Sequence, residues 1–462
     1  MDAVDARVAI IGGGFAGTAL AVRLRASLPE GEPILLFEDA PVAGPGLAYG
    51  TTDPSHLLNV PAGGMSLHPD NPAHFQEWLA GRDDAPEAPA DGGPVFAPRA
   101  LYGAYLAAQF ATTGITTLPC RVETVESLPG GGFRLGAGSQ SWHVARVVLA
   151  LGGFASPVGA PPHLIGNPWD PAALEGLDPE APVLLVGMGL TMVDMLLSLR
   201  RLGHRGQVLG ISRHGWLPLA HVAGPFPKAW PVELPAGAGP AALCRILRQE
   251  AARALAAGQP WQAVMDGARP QVQRVWQGWS PAQRASFLRH GRTAWNLHRH
   301  RLAPAVAATV AGQRATGGLD IRAARLQDWQ PVAGGVRATL HHRHGGQETL
   351  TVGRIILCTG PDSAAAWRDI APVPDLLWRG LARPDPLGIG LDVTGPDGTL
   401  RGADGQPVPG LAAVGPLTRG ALWEITAVPE IRAQAAQAAS QVVATVGAGA
   451  AGAGVAGPGG AA

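Results

Sequence analysis

Arg7-Val-Ala-Ile-Ile-Gly12-Gly13-Gly14-Phe15-Ala16-Gly17 is a short apolar run that ends in a glycine loop and opens an apolar-periodic stretch to Leu28. Such a run reads as a buried strand and the stretch after it as a helix. Pro33 to Glu38 (PILLFE) is a second strand, and it ends on an acid. Strand, glycine turn, helix and strand in this order form the start of a nucleotide-binding unit. Gly12 makes the tight turn, Gly14 lets a pyrophosphate reach the backbone, and Gly17 permits close helix–strand packing. Phe15 and Ala16 open the helix whose N-terminus stabilises the phosphate charge. Glu38 is placed to accept hydrogen bonds from ribose hydroxyls, which favours an unphosphorylated ribose, as in FAD or NAD.

The pattern restarts later in the chain. Pro182 to Val186 is a strand, Gly187-Met188-Gly189 a turn, Leu190 to Leu202 a helix and Gln207 to Ser212 a strand. Met192 stands where a third glycine would be, and Thr191 opens the helix. Ser212-Arg213-His214 replaces the acid, a cationic cluster suited to a 2′-phosphate and hence to NADPH. The competing readings are a structural unit that binds no nicotinamide, and a plain surface charge at Arg213.

Around these two units the chain breaks into recognisable stretches. Helices are expected at about 73–79 and 100–112, and short strands at 122–125, 133–135, 141–143 and 147–151. Residues 241–310 read as helical, strands follow at 336–341 and 354–358, and a last helix spans about 429–446. Strands ending in glycine recur on both sides of the second unit, so that unit is expected to interrupt the first. The expected division is an FAD domain from 1–155 and 350–446, an NAD(P)-type domain from 180–240 and 315–349, and a helical insertion at 241–314. The tail 447–462 contains only Gly, Ala, Val and Pro and is expected to be disordered. The fold class is therefore α/β, a two-dinucleotide-binding, Rossmann-like flavoprotein with a helical segment.

Composition narrows the class further. Thirty-five basic residues balance thirty-five acidic ones, which gives no reason to expect nucleic acid or an anionic membrane as partner. No apolar run is long enough to span a membrane. Asp2 and Asp5 precede the apolar start and glycines interrupt it, so it does not read as a signal peptide. Cys120, Cys244 and Cys358 lie far apart, with no CxxC and no zinc spacing. A cytoplasmic protein with no disulfide framework and no metal is expected, and disulfide-reductase chemistry is excluded.

Several segments carry more information than the fold. Gly46-Leu-Ala-Tyr-Gly50-Thr51 leads to His56-Leu-Leu-Asn59-Val-Pro-Ala62. Later come Phe287-Leu-Arg-His290, Trp295-Asn-Leu-His298-Arg299-His300-Arg301, and Gly415-Pro-Leu-Thr418-Arg419-Gly420-Ala-Leu-Trp423-Glu424 running on to Pro429-Glu430-Ile-Arg432. Together they resemble the bacterial FAD/NAD(P)-binding family that groups FAD-dependent urate hydroxylases and aspartate N-monooxygenases. The resemblance covers nearly the whole chain except the tail.

It implies a monooxygenase in which NAD(P)H reduces FAD and O2 adds to give a C4a-hydroperoxyflavin that hydroxylates a small nitrogen-containing metabolite. Urate is the first expectation. The alternatives are N-hydroxylation of an amino acid, and a flavin-binding redox sensor or electron carrier. By motif, Ala150-Leu151-Gly152 and Cys358-Thr359-Gly360 match the two strand-end crossings between domains. Pro409 to Gly415 matches the segment near the flavin ribityl chain, where Pro416 replaces the usual acid and a backbone amide would take over its contact. The resemblance also places Arg419, Trp423 and Glu424 near the isoalloxazine: Trp423 to stack, Arg419 to pair with an anion. Asn59 would bond a flavin edge or brace its own loop, and His56 reads as structural more readily than functional. His298 and Arg301 belong to a basic run that is either an anion pocket for substrate or a salt-bridged face. No general base stands out.

Overall fold

The computed structural model describes residues 5–152, 163–359 and 366–452. Its first part runs Ala6–Ile11 (β1), Phe15–Ser27 (α1), Ile34–Phe37 (β2), Gly46–Tyr49 (α2), His74–Ala80 (α3), Arg99–Ala111 (α4), Thr116–Leu118 (β3), Thr124–Ser127 (β4), Phe133–Ala137 (β5) and Gln140–Leu149 (β6). The second part contains Leu164–Ile165 (β7), Val183–Val186 (β8), Leu190–Arg201 (α5) and Val208–Ser212 (β9). A helical block follows: Pro240–Ala256 (α6), Trp261–Ala268 (α7), Val272–Gly278 (α8), Pro281–His290 (α9), Arg292–Arg299 (α10) and Pro304–Ala315 (α11). Leu319–Val332 (β10), Gly335–His342 (β11), Gln347–Val352 (β12) and Arg354–Leu357 (β13) complete the second part. Val373–Trp378 (α12), Thr399–Arg401 (β14), Pro407–Ala413 (β15) and Val428–Gly452 (α13) close the chain.

Two sheets result. In the first, the order β14-β15-β6-β1-β2-β3 places β1 between parallel neighbours β6 and β2, with β15 parallel to β6. The continuous apolar run of β1 is the signature of a strand covered on both faces. One face packs on α1, α4 and α13 through Leu20, Leu24, Tyr102, Leu106 and Ala435. The other packs on β4, β5 and the 366–400 stretch through Val125, Phe133, Trp367 and Leu376. The second sheet has the order β12-β11-β10-β9-β8-β13-β7, and α5 covers β8 and β9 through Met192 and Leu196.

Three sequence expectations change. The stretches 141–143 and 147–151 are one strand: the start of β6 forms a hairpin with β5 while its end lies between β1 and β15. The boundary at 350 falls inside the second sheet, because β12 pairs with β11 and β13 with β8, so the chain returns to the first sheet only after Leu357. Finally, α13 continues through Gly452, past the start of the expected disordered tail at 447. Residues 453–462 lie outside the described part.

Candidate functional site

The first glycine loop sits at the C-terminal ends of the parallel strands, where open α/β sheets bind ligands. Gly12 has φ +103°, and a Cβ on it would meet the Ala150 carbonyl oxygen at 2.8 Å. A Cβ on Gly17 would overlap the Gly12 carbonyl. Around Gly14 only the Gly46 Cα comes close, at 3.5 Å from a built Cβ. No side chain caps α1, so its first-turn amides are left for a ligand. Glu38 accepts from the Gly13 amide at 2.6 Å and from Ala40 at 2.9 Å, which anchors its carboxylate beside the loop.

Other expected residues converge on this crevice. Gly415, at φ +86°, lies against Ala16, and Gly152 against Pro416. The Gly415 amide donates to the Gln434 side chain at 2.8 Å, so it is already engaged rather than held for a ribityl hydroxyl. Gly360 is outside the described residues.

The second loop repeats the construction. Gly187 has φ +104°, and a Cβ there would meet the Cys358 carbonyl at 2.5 Å, while a Cβ on Gly189 would have nothing within 4 Å. Space above the second glycine is what a phosphate requires. Thr191 lies in the first turn of α5, which likewise has no side-chain cap. At the end of β9, Ser212 Oγ accepts from Gly215 and closes the turn. Arg213 is exposed, Arg343 Nη1 donates to His214 Nδ1, and His214 stacks on Trp216 at 4.5 Å. Burial and then the Arg343 and Arg213 charges hold His214 below its ordinary pKa. Arg343 was not legible as a partner because it reaches His214 only through the pairing of the sheet.

Elsewhere the structure separates expected neighbours. One face of Trp423 lies on Trp276 (4.8 Å, 27°) and its edge meets Phe287. Glu424 pairs with Arg299 at 2.9 Å and accepts from Trp295 Nε1 at 2.5 Å. Arg301 pairs with Asp266, and His298 bonds its own helix at Ala294. This is the salt-bridged arrangement of the basic run, buried between the helical block and the 419–424 segment. Arg419 is also buried in that segment. Asn59 lines a cavity shared by three parts of the chain: Leu58 and Arg99 of the first, Val193 and Asp194 of α5, and Leu302 beside α11.

Next to that cavity is a polar clasp that sequence reading missed. Ser198 Oγ donates to Asp53 at 2.6 Å and therefore accepts from His56 Nε2 at 2.8 Å, while Thr51 Oγ1 faces His56 Nδ1 at 2.9 Å. Arg201 pairs with Asp53, and Arg99 with Asp194, both at 2.9 Å. The serine proton points at the carboxylate, not at the imidazole, so this Ser-His-Asp trio is no activated nucleophile. It joins the first part of the chain to α5. Burial alone would raise the Asp53 pKa, but the donors Ser198, Ser55 and Arg201 outweigh it and hold the carboxyl well below the usual range. A depressed folded pKa adds stability above the unfolded value of about 4, lost as pH falls toward the folded one. The stability of the wild-type protein, followed by urea unfolding, should therefore fall more steeply below pH 4 than that of Asp53→Asn. Parallel acid limbs would remove this role.

The crevice and the two glycine loops, each at the end of parallel strands in a mixed sheet, are those of the FAD- and NAD(P)-binding flavoprotein fold, and residues 9–154 match the FAD-NAD(P)-binding family model. Over its length the chain is similar to an ornithine N-hydroxylase from Kutzneria sp. 744, with 14% identity, a TM-score of 0.62, and 96% of this chain and 99% of that one covered. It is similar to L-lysine 6-monooxygenase from Pseudomonas syringae, at 17% identity and TM-score 0.60 with 96% and 99% covered. It is also similar to thioredoxin reductase from Lactococcus lactis, at 13% identity and TM-score 0.51 with 95% and 99% covered. At these identities the likeness is one of fold. No curated protein matches the chain by sequence. Among the described residues no helix is long and apolar enough to cross a membrane, and no cluster of metal-ligating side chains occurs.

Proposed function

We propose that this chain is an FAD-dependent N-monooxygenase that takes electrons from NADPH and hydroxylates the amine of an amino acid or a close relative. The observation that carries this reading is its whole-length likeness to ornithine and lysine hydroxylases in a chain that lacks the dithiol of a disulfide reductase. The shared fold leaves both classes open, and the cysteines favour the hydroxylases. Burial raises the Cys358 thiol far above its ordinary pKa and also raises Cys120, Cys244 is exposed, and no two of the three form a CxxC. The solved relatives named above support the amino-acid alternative over urate, the first expectation from the resemblance.

The first crevice fits FAD, since its glycines leave the α1 amides open and the Glu38 carboxylate is held beside the loop just past the end of β2. FAD, when bound, supplies the electron transfer and oxygen activation that side chains lack. The chain's own residues bind, orient and exclude water. At the second loop, Arg213 and Arg343 offer two guanidinium groups to a 2′-phosphate and Trp216, beside His214, offers a face to an adenine. Arg213→Gln and Arg343→Gln should each raise the KM for NADPH about tenfold and leave that for NADH unchanged. Equal effects on both nucleotides would place the phosphate elsewhere.

The deciding experiment is stopped-flow reduction and oxygen consumption with NADPH or NADH, alone and with L-ornithine, L-lysine, L-aspartate or urate. Faster turnover with an amino acid and a hydroxylamine product is expected. Stimulation by urate alone would restore the first expectation, and oxidation insensitive to every substrate would favour the electron carrier.

A further inference from the structure

Asp194, Ser198 and Arg201 stand at i, i+4 and i+7, so they share one face of α5. The rest of that helix is core: Met192, Val193, Leu196 and Leu199 are buried in the second part of the chain. A polar stripe on such a helix needs partners from elsewhere, and the first part supplies them. The proton positions follow one from another. The Asp53 carboxylate can only accept, so Ser198 Oγ gives it its proton. His56 Nε2 faces Ser198 Oγ at 2.8 Å and the Asp194 main-chain carbonyl at 3.1 Å; the carbonyl can only accept, so Nε2 carries the proton. In the neutral ring Nδ1 then accepts from Thr51 Oγ1 at 2.9 Å. Asp53, His56 and Ser198 are all buried. One arrangement of protons satisfies this relay, and a satisfied buried network is rigid.

The first-part end of the relay is tied to the first glycine loop. The Gly44 amide donates to the Gly13 carbonyl at 2.6 Å, and the Gly46 Cα lies against Gly14. From there α2 leads to Thr51, Asp53 and His56, and α4 packs on it so closely that a Cβ on Gly103 would overlap the Tyr49 carbonyl. The Arg99 amide donates to the His56 carbonyl at 2.8 Å, which fixes the start of α4 and brings Arg99 to Asp194. At the other end, α5 begins on the second glycine loop. Residues 44–56 and α5 therefore form one continuous strut from the first nucleotide loop to the second.

We propose that Asp53, His56 and Ser198 are positioning residues for hydride transfer, setting how the nucleotide on the second loop meets the flavin on the first. The inference rests on the reading that the first loop holds FAD and the second NADPH. In the step they serve, the nicotinamide gives up a hydride and becomes NADP+, and the oxidised flavin takes that hydride to become the reduced anion. The reacting atoms must approach to about 3–3.5 Å, and an error of about 1 Å lowers the rate by up to a hundredfold. Each glycine loop is built against its own sheet, so their separation is set by what joins the sheets. The relay is a buried polar join between them, and it acts on α5 itself.

The test is anaerobic stopped-flow reduction of the FAD-loaded protein by NADPH in Ser198→Ala, Asp53→Asn and the double variant. Alanine breaks the relay at its centre. Asparagine keeps the size of Asp53 but must turn an NH2 group toward either Ser198 or Arg201. Each single variant should lower the limiting rate of flavin reduction about tenfold and leave the Kd for NADPH unchanged. The double variant should be no slower than the slower single one, because both break the same relay. Dithionite should reduce every variant at the wild-type rate. The long-wavelength absorbance of NADP+ lying against reduced flavin, which needs the two rings in contact, should weaken along with the rate. Gln313→Ala is the control for mere loosening of α5, since it removes the 2.6 Å bond from Arg200, on another side of the helix, to α11. It should leave rate and absorbance unchanged. Wild-type rates and absorbance in both single variants would overturn the proposal, as would an equal loss in Gln313→Ala. A wild-type flavin that neither NADPH nor NADH reduces would overturn the two-nucleotide reading and the proposal with it, so the two failures are distinguishable.

Discussion

Gly17→Val should yield a protein that is purified without its flavin. A Cβ at Gly17 overlaps the Gly12 carbonyl, and Gly12 is itself fixed at φ +103° with its Cα against the Ala150 carbonyl. The Cβ is fixed by the backbone and the atom it meets is a backbone oxygen, so no rotamer relieves the contact; α1 must move away from β1. Overpacking of this kind costs about 3 kcal/mol, and the movement carries the first-turn amides away from the pyrophosphate position. Gly31→Ala is the matched control. It also has positive φ, at +84°, but a Cβ there meets nothing within 4 Å. It should lose only about 1–2 kcal/mol, the cost of the left-handed backbone alone, and keep its yellow colour. Flavin absorbance per polypeptide reads both, and a yellow Gly17→Val protein would mean that the loop is not the cofactor cradle.

The second large effect belongs to Glu424. It is the one non-glycine residue with positive φ among those described, at +69°, and its carboxylate is buried on Arg299. Burial lowers the Arg299 pKa and the Glu424 charge opposes that. Glu424→Ala leaves a buried guanidinium without its partner, a loss of about 3–5 kcal/mol. Glu424→Gln should fall close to it, because the Trp295 bond survives but the charge does not. Glu424→Gly should recover roughly 1 kcal/mol relative to alanine by relaxing the backbone. The double replacement Glu424→Leu with Arg299→Leu should be milder than Glu424→Ala, since no charge is stranded. Urea unfolding midpoints rank the four. A loss under about 1 kcal/mol in Glu424→Ala would show that the pair is not what holds the helical block to the 419–424 segment.

The segments that were legible in sequence are those whose reasons are local. β1, its glycines and α1 follow from an apolar run, a turn and a period, and the same three signals located β8, Gly187 and α5. β10 went unread because its fourteen residues, Leu319–Val332, mix Asp, Arg, Gln and Trp with aliphatics. Its first half pairs in parallel with β9 and its second half antiparallel with β11, so no single burial pattern runs through it. The clasp was invisible for a different reason: Asp53 and Ser198 are joined only by the packing of α5 on the first part of the chain. Trp423 shows the limit of motif transfer. Its position after Gly415 suggested a ring open for stacking, but only the tertiary structure reveals Trp276 on its face.

The first sheet is built from both ends of the chain. β6 lies between β1 and β15, and α13 packs along α1. Every strand of the second sheet leaves the ribosome before β15 does. The nicotinamide half can thus mature during synthesis, while the flavin half waits for residues 407–413 and the helix after them. Ribosome-stalled chains ending before residue 407 should already show the second sheet's protection from protease but take up no flavin, so cofactor loading waits on the synthesis of β15.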